Sequence, residues 1–361
     1  MQGLSDGQLR LLTAFLYEEY IVVTHTAQNP KGVGRTAYCH YYDCNRIEIS
    51  GSKFKSFVFP MTAVHCPRRI GAEFMSLSFE ENEEPKDPIP LLKRIFEGKF
   101  YLNEESKETD YSEPPHEIGV CVGPIYGTEK KCKRAIDHYQ SVGEVEATFV
   151  NTEYEKVTWL FHMIQVHECF FRSKYHSKWV ISTDIDERLV MTETPLTLYL
   201  RQQATSTCEI NFGSRRVPKF DENPDVYISE QQITDSLSFL RYNLTSEHHW
   251  LGFKLIFKPL KVHMIHFHWT WRQHEGCHVI TASEKIGYIR HYRTTSSSSL
   301  RGNWFNLMKP YQITKMDERF TEKLKLKVLE KVKYIYELHP VYCSSIDQKV
   351  RNTFTNDLHC V

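Results

Sequence analysis

The stretch KWVISTDIDERL, residues 178–189, decides the fold, because an apolar run leads directly into three carboxylates. The run from Trp179 to Ile181 predicts a buried strand. Side chains alternate between the faces of a strand, so Asp184 and Asp186 are expected to point the same way, with Ile185 opposite. Ligands of parallel α/β sheets bind beyond the carboxyl ends of strands, and paired carboxylates suit Mg²⁺ or Mn²⁺. The alternative is a solvated turn, where Asp and Glu are common.

The segments before this strand alternate between strand and helix patterns. The two strand patterns are EIGVCVGPIYG (117–127) and EVEATFVN (144–151), and the two helix patterns are TEKKCKRAIDHYQSVG (128–143) and EKVTWLFHMIQVHECFFRSKY (155–175). Such alternation predicts parallel pairing with right-handed crossovers. The fold class is therefore α/β.

The rest of the chain differs in composition from this central part. Residues 1 to about 78 contain short β-branched and aromatic runs broken by Gly, Pro or Asn, which predict a β-rich region. Acidic, proline-containing stretches follow and indicate a linker. We therefore predict three parts: a β-rich region with its linker (1–115), a central α/β domain (116–300) and a helical extension (301–361), where TEKLKLKVLEKVKYIYEL has helical spacing.

Bulk properties exclude some classes of function. The chain of 361 residues carries 45 Lys plus Arg and 45 Asp plus Glu, so no global charge favours nucleic acid. Its cysteines form no CxxC pair, which argues against structural zinc. Their number, ten, is even and high for this length, which favours an oxidising compartment. The sequon at Asn243 agrees with that compartment. In contrast, no apolar run of membrane-spanning length and no signal peptide is visible, so as written the chain is expected neither to span a membrane nor to enter the secretory pathway.

Four stretches, in order, resemble one enzyme family. The segment STDIDERL, following SKW and preceded by ECFFRSKY, is similar to the signature of glycosyltransferase family 92. The other three are VCVGPIYG, with Val122 and Pro124; FKLIFKPLKVHMIHFH, with Lys254, Pro259, Val262 and either His266 or His268; and YIRHYR, with His291, Tyr292 and Arg293. The early YCHYYDCNRIEIS and HCPRR are similar to the β-rich region of the same family. The resemblance covers roughly residues 13 to 295.

The resemblance implies a GT-A-like, mostly parallel nucleotide-sugar-binding sheet with helices on both faces. It implies a metal-dependent inverting enzyme that moves a hexose, galactose from UDP-galactose, to a glycan hydroxyl. Asp184 would face the donor ribose or Mn²⁺ (or Mg²⁺), Asp186 would hold the ion, and His291 would be a third ligand. Glu187 is expected to orient the strand end or Arg188 rather than touch the donor. Family members are Golgi membrane proteins with lumenal catalytic domains, which implies membrane association.

The donor side of the site is expected to include Val122, Pro124, Asp184 and Lys254. An inverting transfer also needs a general base for the acceptor hydroxyl. The candidates are carboxylates between residues 208 and 291, namely Asp221, Glu222, Asp235 and Glu247. Neither the residues nor the resemblance chooses among them.

One departure from the family pattern is visible. The segment from Cys121 to Asp184 has room for only two crossovers of about 30 residues each, so one βα unit is expected to be missing near 143–144. This favours, as an alternative, an inactive protein of the same fold that binds glycans or acts as a scaffold. A phosphotransferase is disfavoured because DxDxT is absent.

The cluster HMIHFHWTWRQHEGCH (263–278) is histidine-rich but has no HExxH pattern or cysteine pair, which argues against zinc. We expect a strand and loop near the acceptor there. Trp269 and Trp271 are candidate sugar platforms, although tryptophans more commonly belong to cores.

Overall fold

The computed structural model describes most of the chain. The described residues are 10–26, 33–93, 114–123, 130–147, 159–221, 229–294, 309–314, 316 and 318–337. They form two compact units, one of residues 1–126, 148–215 and 248–291, the other of residues 127–147, 216–247 and 292–361.

The first unit begins with a seven-stranded sheet. Its strands are β1 (Leu11–Leu16), β2 (Tyr20–His25), β3 (Thr36–Tyr42), β4 (Phe54–Phe57), β5 (Ala63–Pro67), β6 (Phe74–Ser78) and β7 (Ile89–Lys93), in the order β4-β3-β6-β7-β1-β2-β5. All pairs are antiparallel except β1 with β7. One face buries a cluster that includes Ile21, Tyr41 and Leu77, and the Cys39–Cys66 disulfide joins β3 to β5. The predicted β-rich character of this region is confirmed.

The long helix predicted before the DxD strand is present as α2 (Trp159–Ser173), after α1 (Lys130–Ser141). Its buried Phe170 and Phe171 pack with Phe15 and Val22 of the N-terminal sheet and with Val180. The helix therefore has a strand layer on each side.

The second sheet of the first unit carries the DxD segment. Its strands are β8 (His116–Val122), β9 (Ser177–Thr183), β10 (Glu187–Met191), β11 (Thr207–Lys219), β13 (His249–Phe257), β16 (His278–Ala282) and β17 (Gly287–Thr294), in the order β10-β17-β11-β13-β9-β8 with β16 beside β11. The intervening elements are α3 (Leu196–Arg201), α4 (Glu230–Ser236), α5 (Ser238–Arg241), β12 (Leu244–Ser246), β14 (Val262–Ile265) and β15 (Thr270–Gln273).

The prediction of a mostly parallel sheet was wrong. Pairs β8–β9 and β11–β16 are parallel, whereas β9–β13, β11–β13 and β10–β17 are antiparallel. Parallel neighbours need long crossovers, usually helical. The connection from β8 to β9 contains the 15-residue helix α2, whereas the described helices that follow within this sheet's sequence, α3 to α5, have seven residues or fewer, and β13 and β17 are antiparallel to β9 or β11 and to β10.

The two faces of β9 bury different partners. Val180 faces the α2 side, and Trp179 packs with Leu200 of α3 and with Ile210 and Ile256. A GT-A arrangement with helices along both faces stays a prediction. The predicted strand EVEATFVN lies largely outside the described residues, and Val145 to Ala147 have no regular structure.

The second unit contains α1, α4, α5, the two-stranded pair of β12 with β18 (Tyr311–Ile313), and α6 (Glu318–Glu337). The predicted C-terminal helix is thus present, and its Leu324, Val328 and Val332 are half-buried on one face. Among the described residues, no helix combines the length and the apolar run needed to cross a bilayer.

Candidate active site

The DxD segment forms a turn rather than an extension of the strand. The backbone N–H of Glu187 donates to the carbonyl of Asp184 at 3.1 Å, and β10 begins at Glu187. The argument from strand alternation therefore does not apply to Asp184 and Asp186. What positions them is this turn together with the buried side chain of Glu187.

The turn lies at the end of two parallel strands, as predicted. Val122 of β8 pairs with Thr183 of β9, and the N–H of Gly123 donates to the carbonyl of Thr183 at 2.8 Å. A side chain at Gly123 would collide with Asp184 Oδ1 and come within 3.1 Å of His162 Nε2. Any larger residue at this position would therefore force Asp184 and His162 to shift.

Asp184 is held by two basic side chains. Its Oδ2 accepts from Lys254 Nζ at 2.8 Å, and its Oδ1 lies 3.4 Å from His162 Nε2. Partial burial by itself raises the pKa of Asp184, but the hydrogen bond from His162 and the charge of Lys254 outweigh it and hold that pKa well below its usual range. Asp184 is therefore a charged group whose orientation is fixed.

Glu187 is the centre of the site. Its side chain is only 2% exposed, yet it accepts from the Asp184 N–H at 2.9 Å and from Lys254 Nζ at 3.0 Å. Its other oxygen lies 3.4 Å from His291 Nδ1. Burial raises the pKa of Glu187, while Lys254 and His291 pull it down. Glu187 thus connects the base of the turn to two side chains that come from different strands.

Lys254 supplies the compensating charge. It is 3% exposed, and burial would lower its pKa, but the charges of Glu187 and Asp184 raise it, so the ammonium stays protonated. Burial of a charge is costly unless the charge is paired. Lys254 meets this condition because a carboxylate lies within hydrogen-bond distance on each side.

His291 reaches the turn from β17. Antiparallel pairing places His291 directly opposite Glu187, and its Nε2 lies 3.3 Å from Asp186 Oδ2. The side chain of Asp186 is 35% exposed, so this pair opens to solvent. Asp186 and His291 therefore present one oxygen and one nitrogen at the rim of the site.

The predicted site residues fall into three groups. The structure brings Asp184, Asp186, Lys254 and His291 together, and Val122 lines the same shallow cleft as Asp184 and Lys254. Pro124 and Glu222 lie outside the described residues. The remaining base candidates, Asp221, Asp235 and Glu247, belong to the second compact unit.

Those three base candidates have ordinary surroundings. Asp221 forms an ion pair with Arg241, Asp235 accepts from Gln231 Nε2 at 2.7 Å on α4, and Glu247 is exposed. None has a feature that favours it, so the base stays a prediction among the candidates.

Sequence reasoning missed His162. It lies on α2 and lines the cleft together with Phe267, whose ring centroid is 4.7 Å away. A histidine in a strongly apolar helix was the only available signal, and it does not distinguish a site residue from a core residue.

The comparison with known families agrees with this geometry. The model described as Glycosyltransferase family 92 matches residues 124–324, more than half of the chain, and this span contains the turn, Lys254 and His291. A search of curated proteins found no match. On the strength of the family match, the chain belongs to glycosyltransferase family 92.

Proposed function

We propose that the protein is a metal-dependent inverting hexosyltransferase that uses a UDP-sugar, with galactose as the donated sugar, and a glycan hydroxyl as acceptor. The family supports sugar transfer. The observation that carries the metal dependence is the pairing of Asp186 with His291 beside the Asp184–Lys254–Glu187 cluster at the end of β9. The inverting course and the choice of galactose rest on the family resemblance.

The fit of a divalent cation can be tested on that pair. The two candidate ligand atoms, Asp186 Oδ2 and His291 Nε2, lie 3.3 Å apart. Adjacent ligands of an octahedral ion with bonds of about 2.1 Å are roughly 3 Å apart, so the pair fits with little movement. Carboxylate oxygen and imidazole nitrogen are ligands that Mn²⁺ accepts.

The described residues supply only part of a coordination sphere. No three His, Cys, Asp or Glu side chains among them converge as a metal-binding group. A cation of this type is often held by one or two protein groups plus substrate phosphates. We therefore assign Asp186 and His291 as the protein ligands, the diphosphate of the donor being expected to supply others. When bound, the ion would supply Lewis-acid neutralisation of charge on the departing nucleoside diphosphate.

The remaining groups of the site hold the two ligands and the donor. Glu187 Oε1 lies 3.4 Å from His291 Nδ1, while Nε2 is the nitrogen that faces Asp186. Such a carboxylate–histidine contact fixes the tautomer of a metal ligand and raises its basicity. Asp184, whose two oxygens are engaged by Lys254 and His162, is assigned to the donor ribose rather than to the ion.

Membership of the family indicates a location in the secretory pathway. We propose the Golgi lumen, with membrane association through the family's usual anchoring. The disulfides Cys39–Cys66, Cys121–Cys169 and Cys208–Cys277 support an oxidising compartment, and so does the exposed sequon residue Asn243.

The test is a donor screen on the full chain. UDP-galactose, UDP-glucose and UDP-N-acetylglucosamine are each incubated with a mixed glycan acceptor and Mn²⁺, and released UDP is measured with and without EDTA. We expect UDP to be released from UDP-galactose and EDTA to abolish this release. The transferred sugar in the product should have the anomeric configuration opposite to that of the donor.

Two outcomes would contradict the proposal. Release that persists in EDTA would exclude the metal role. An absence of release with every donor, together with no Mn²⁺-dependent heat of UDP binding in calorimetry, would favour the inactive scaffold instead.

A further inference from the structure

Two tryptophans near the site face solvent. Trp269 is 42% exposed and Trp271 is 52% exposed, so the expectation that they belong to the core was wrong. Trp269 lies in the connection of the β14–β15 hairpin, and Trp271 is the second residue of β15. Large apolar side chains that stay exposed together mark interaction surfaces.

Trp271 forms one wall of a cavity of about 270 Å³. The connection between β4 and β5 of the N-terminal sheet and the β14–β15 hairpin both line the cavity. Its lining includes Phe59, Pro60, Met61, Met264, Trp271 and Arg272. The lining thus combines apolar and aromatic residues with one arginine, whose guanidinium is a hydrogen-bond donor.

This chemistry fits a sugar ring. The C–H face of a pyranose packs on an indole ring, and the guanidinium donates to its hydroxyl groups. The volume is slightly below the range of roughly 300–1,000 Å³ found for drug-sized ligands, which suits one sugar unit rather than a nucleotide sugar.

A row of rings connects the cavity to the candidate active site. His162, which lies beside Asp184, is 4.7 Å from Phe267 between ring centroids, and Phe267 is 4.6 Å from His266. His266 is 6.0 Å from Trp271. The cavity is therefore three ring contacts away from the carboxylate, within reach of a short oligosaccharide.

The cavity is nevertheless distinct from the cleft where the donor is expected. The cleft is lined by Val122, Gly123, His162, Asp184, Lys254 and Phe267 among others, and no residue lines both. A ligand in the cavity would therefore not compete with the nucleotide. This separation favours the acceptor over the donor as its occupant.

We propose that Trp271 and Arg272 bind a sugar unit of the acceptor glycan, with the β4–β5 connection of the N-terminal sheet closing the other side of the subsite. The proposal rests on the function proposed above, since it takes the second substrate to be a glycan. It gives the N-terminal sheet a part in substrate binding.

The experiment measures saccharide binding to the full chain by saturation-transfer NMR. The probes are lactose, N,N′-diacetylchitobiose and methyl α-L-fucoside, each tested in EDTA and again with UDP plus Mn²⁺. The variants are Trp271→Ala and Trp271→Phe, with Trp250→Ala as the matched control, because Trp250 is also exposed, at 42%, but neither lines the cavity nor belongs to the row of rings.

We expect at least one probe to bind the wild type and to bind Trp271→Ala about tenfold more weakly, since a stacking tryptophan is typically a dominant binding residue. Trp271→Phe should keep most of the affinity, and Trp250→Ala should stay within about twofold. No binding of any probe to the wild type under either condition would overturn the proposal. Equal binding by Trp271→Ala and the wild type would overturn it as well.

The two proposals fail separately. Mn²⁺-dependent UDP binding, measured by calorimetry, should be the same in Trp271→Ala and the wild type. If UDP binding is absent while saccharide binding depends on Trp271, the proposed function fails and the glycan subsite stands. If UDP binds with Mn²⁺ but no saccharide probe binds, the glycan subsite fails and the proposed function stands.

Discussion

Two buried glutamates in the same compact unit have very different partners. Glu168 of α2 is 2% exposed and accepts from Thr13 Oγ1 at 2.9 Å, from the Thr24 hydroxyl and from Arg172 at 3.5 Å. The side chain of Glu187, also 2% exposed, accepts from Lys254 and lies beside His291.

The difference separates a carboxylate that only joins parts of the fold from one that also supports the candidate site. The partners of Glu168 end within the packing of α2 against β1 and β2, where they satisfy a buried acceptor and attach the helix to the N-terminal sheet. The partners of Glu187 continue outward to Asp184 and Asp186, which reach solvent. Burial is therefore not the distinguishing property. The distinguishing property is whether the partners lead to side chains that a substrate can reach.

The sharpest test of this distinction is Asp186→Ala. Removal of the proposed metal ligand is expected to lower transfer by about 10³-fold or more, since the Lewis-acid contribution is several kcal/mol and each 1.36 kcal/mol is tenfold. Because Asp186 is partly exposed, the melting temperature should stay within about 2 °C of the wild type. The assay is UDP release with Mn²⁺, beside a thermal melt. Turnover equal to that of the wild type would remove Asp186 from the site.

A matched pair of substitutions then compares the two glutamates directly. In Glu187→Gln one carboxylate oxygen becomes an amide nitrogen, which cannot accept, so Lys254 Nζ and His291 Nδ1 no longer each face an acceptor and the proposed metal-facing nitrogen of His291 loses its orientation. We expect activity or Mn²⁺ affinity about 10- to 100-fold lower, as for other residues that orient a metal ligand.

Glu168→Gln is the control of that pair, with an expected change in activity of less than about threefold. The measurements are kcat, KM for the donor and the Mn²⁺ concentration at half-maximal rate. A larger loss in Glu168→Gln than in Glu187→Gln would reverse the assignment of the two groups.

The smallest effect concerns the pH dependence of stability. Burial raises the pKa of Glu168 above its ordinary value of 4.5, and the bonds from Thr24 and Thr13 with the charge of Arg172 offset this only in part. The folded state then holds a proton that the unfolded chain has already released. The free energy of unfolding therefore falls as pH rises from that ordinary value through the raised pKa, by at most about 1.4 kcal/mol per pH unit.

Urea titrations of the wild type and Glu168→Gln at about pH 5, 6 and 7 measure this contribution. The stability of the wild type relative to the variant should decrease with pH, because glutamine does not titrate. Glu247→Gln, at an exposed position, is the control. A relative stability that increases with pH would contradict the direction of the shift.

Several parts of the candidate site could be predicted because their signals are local or come from the family pattern. Asp184 and Asp186 follow an apolar strand directly, and Lys254 and His291 were placed with them by resemblance. The helix α2, the β-rich start of the chain and the C-terminal helix followed from hydrophobic periodicity, which depends only on neighbouring residues.

Other features depended on pairings between distant residues, and no local pattern encodes those. The mixed sheet arises because β13 and β17 pair antiparallel with strands far away in sequence. Glu187 is central only because the register sets His291 opposite it and Lys254 reaches it from β13. The exposure of Trp271 likewise depends on what the hairpin packs against.

The amino-acid order was thus sufficient for the chemical nature of the site, since carboxylates, an ammonium and an imidazole carry their charges and ligand atoms wherever they lie. Their roles were set by tertiary contacts. Burial and the distances between charges decide which carboxylate supports the site and which one lies at its rim. Burial and these distances are set only once the strands have paired.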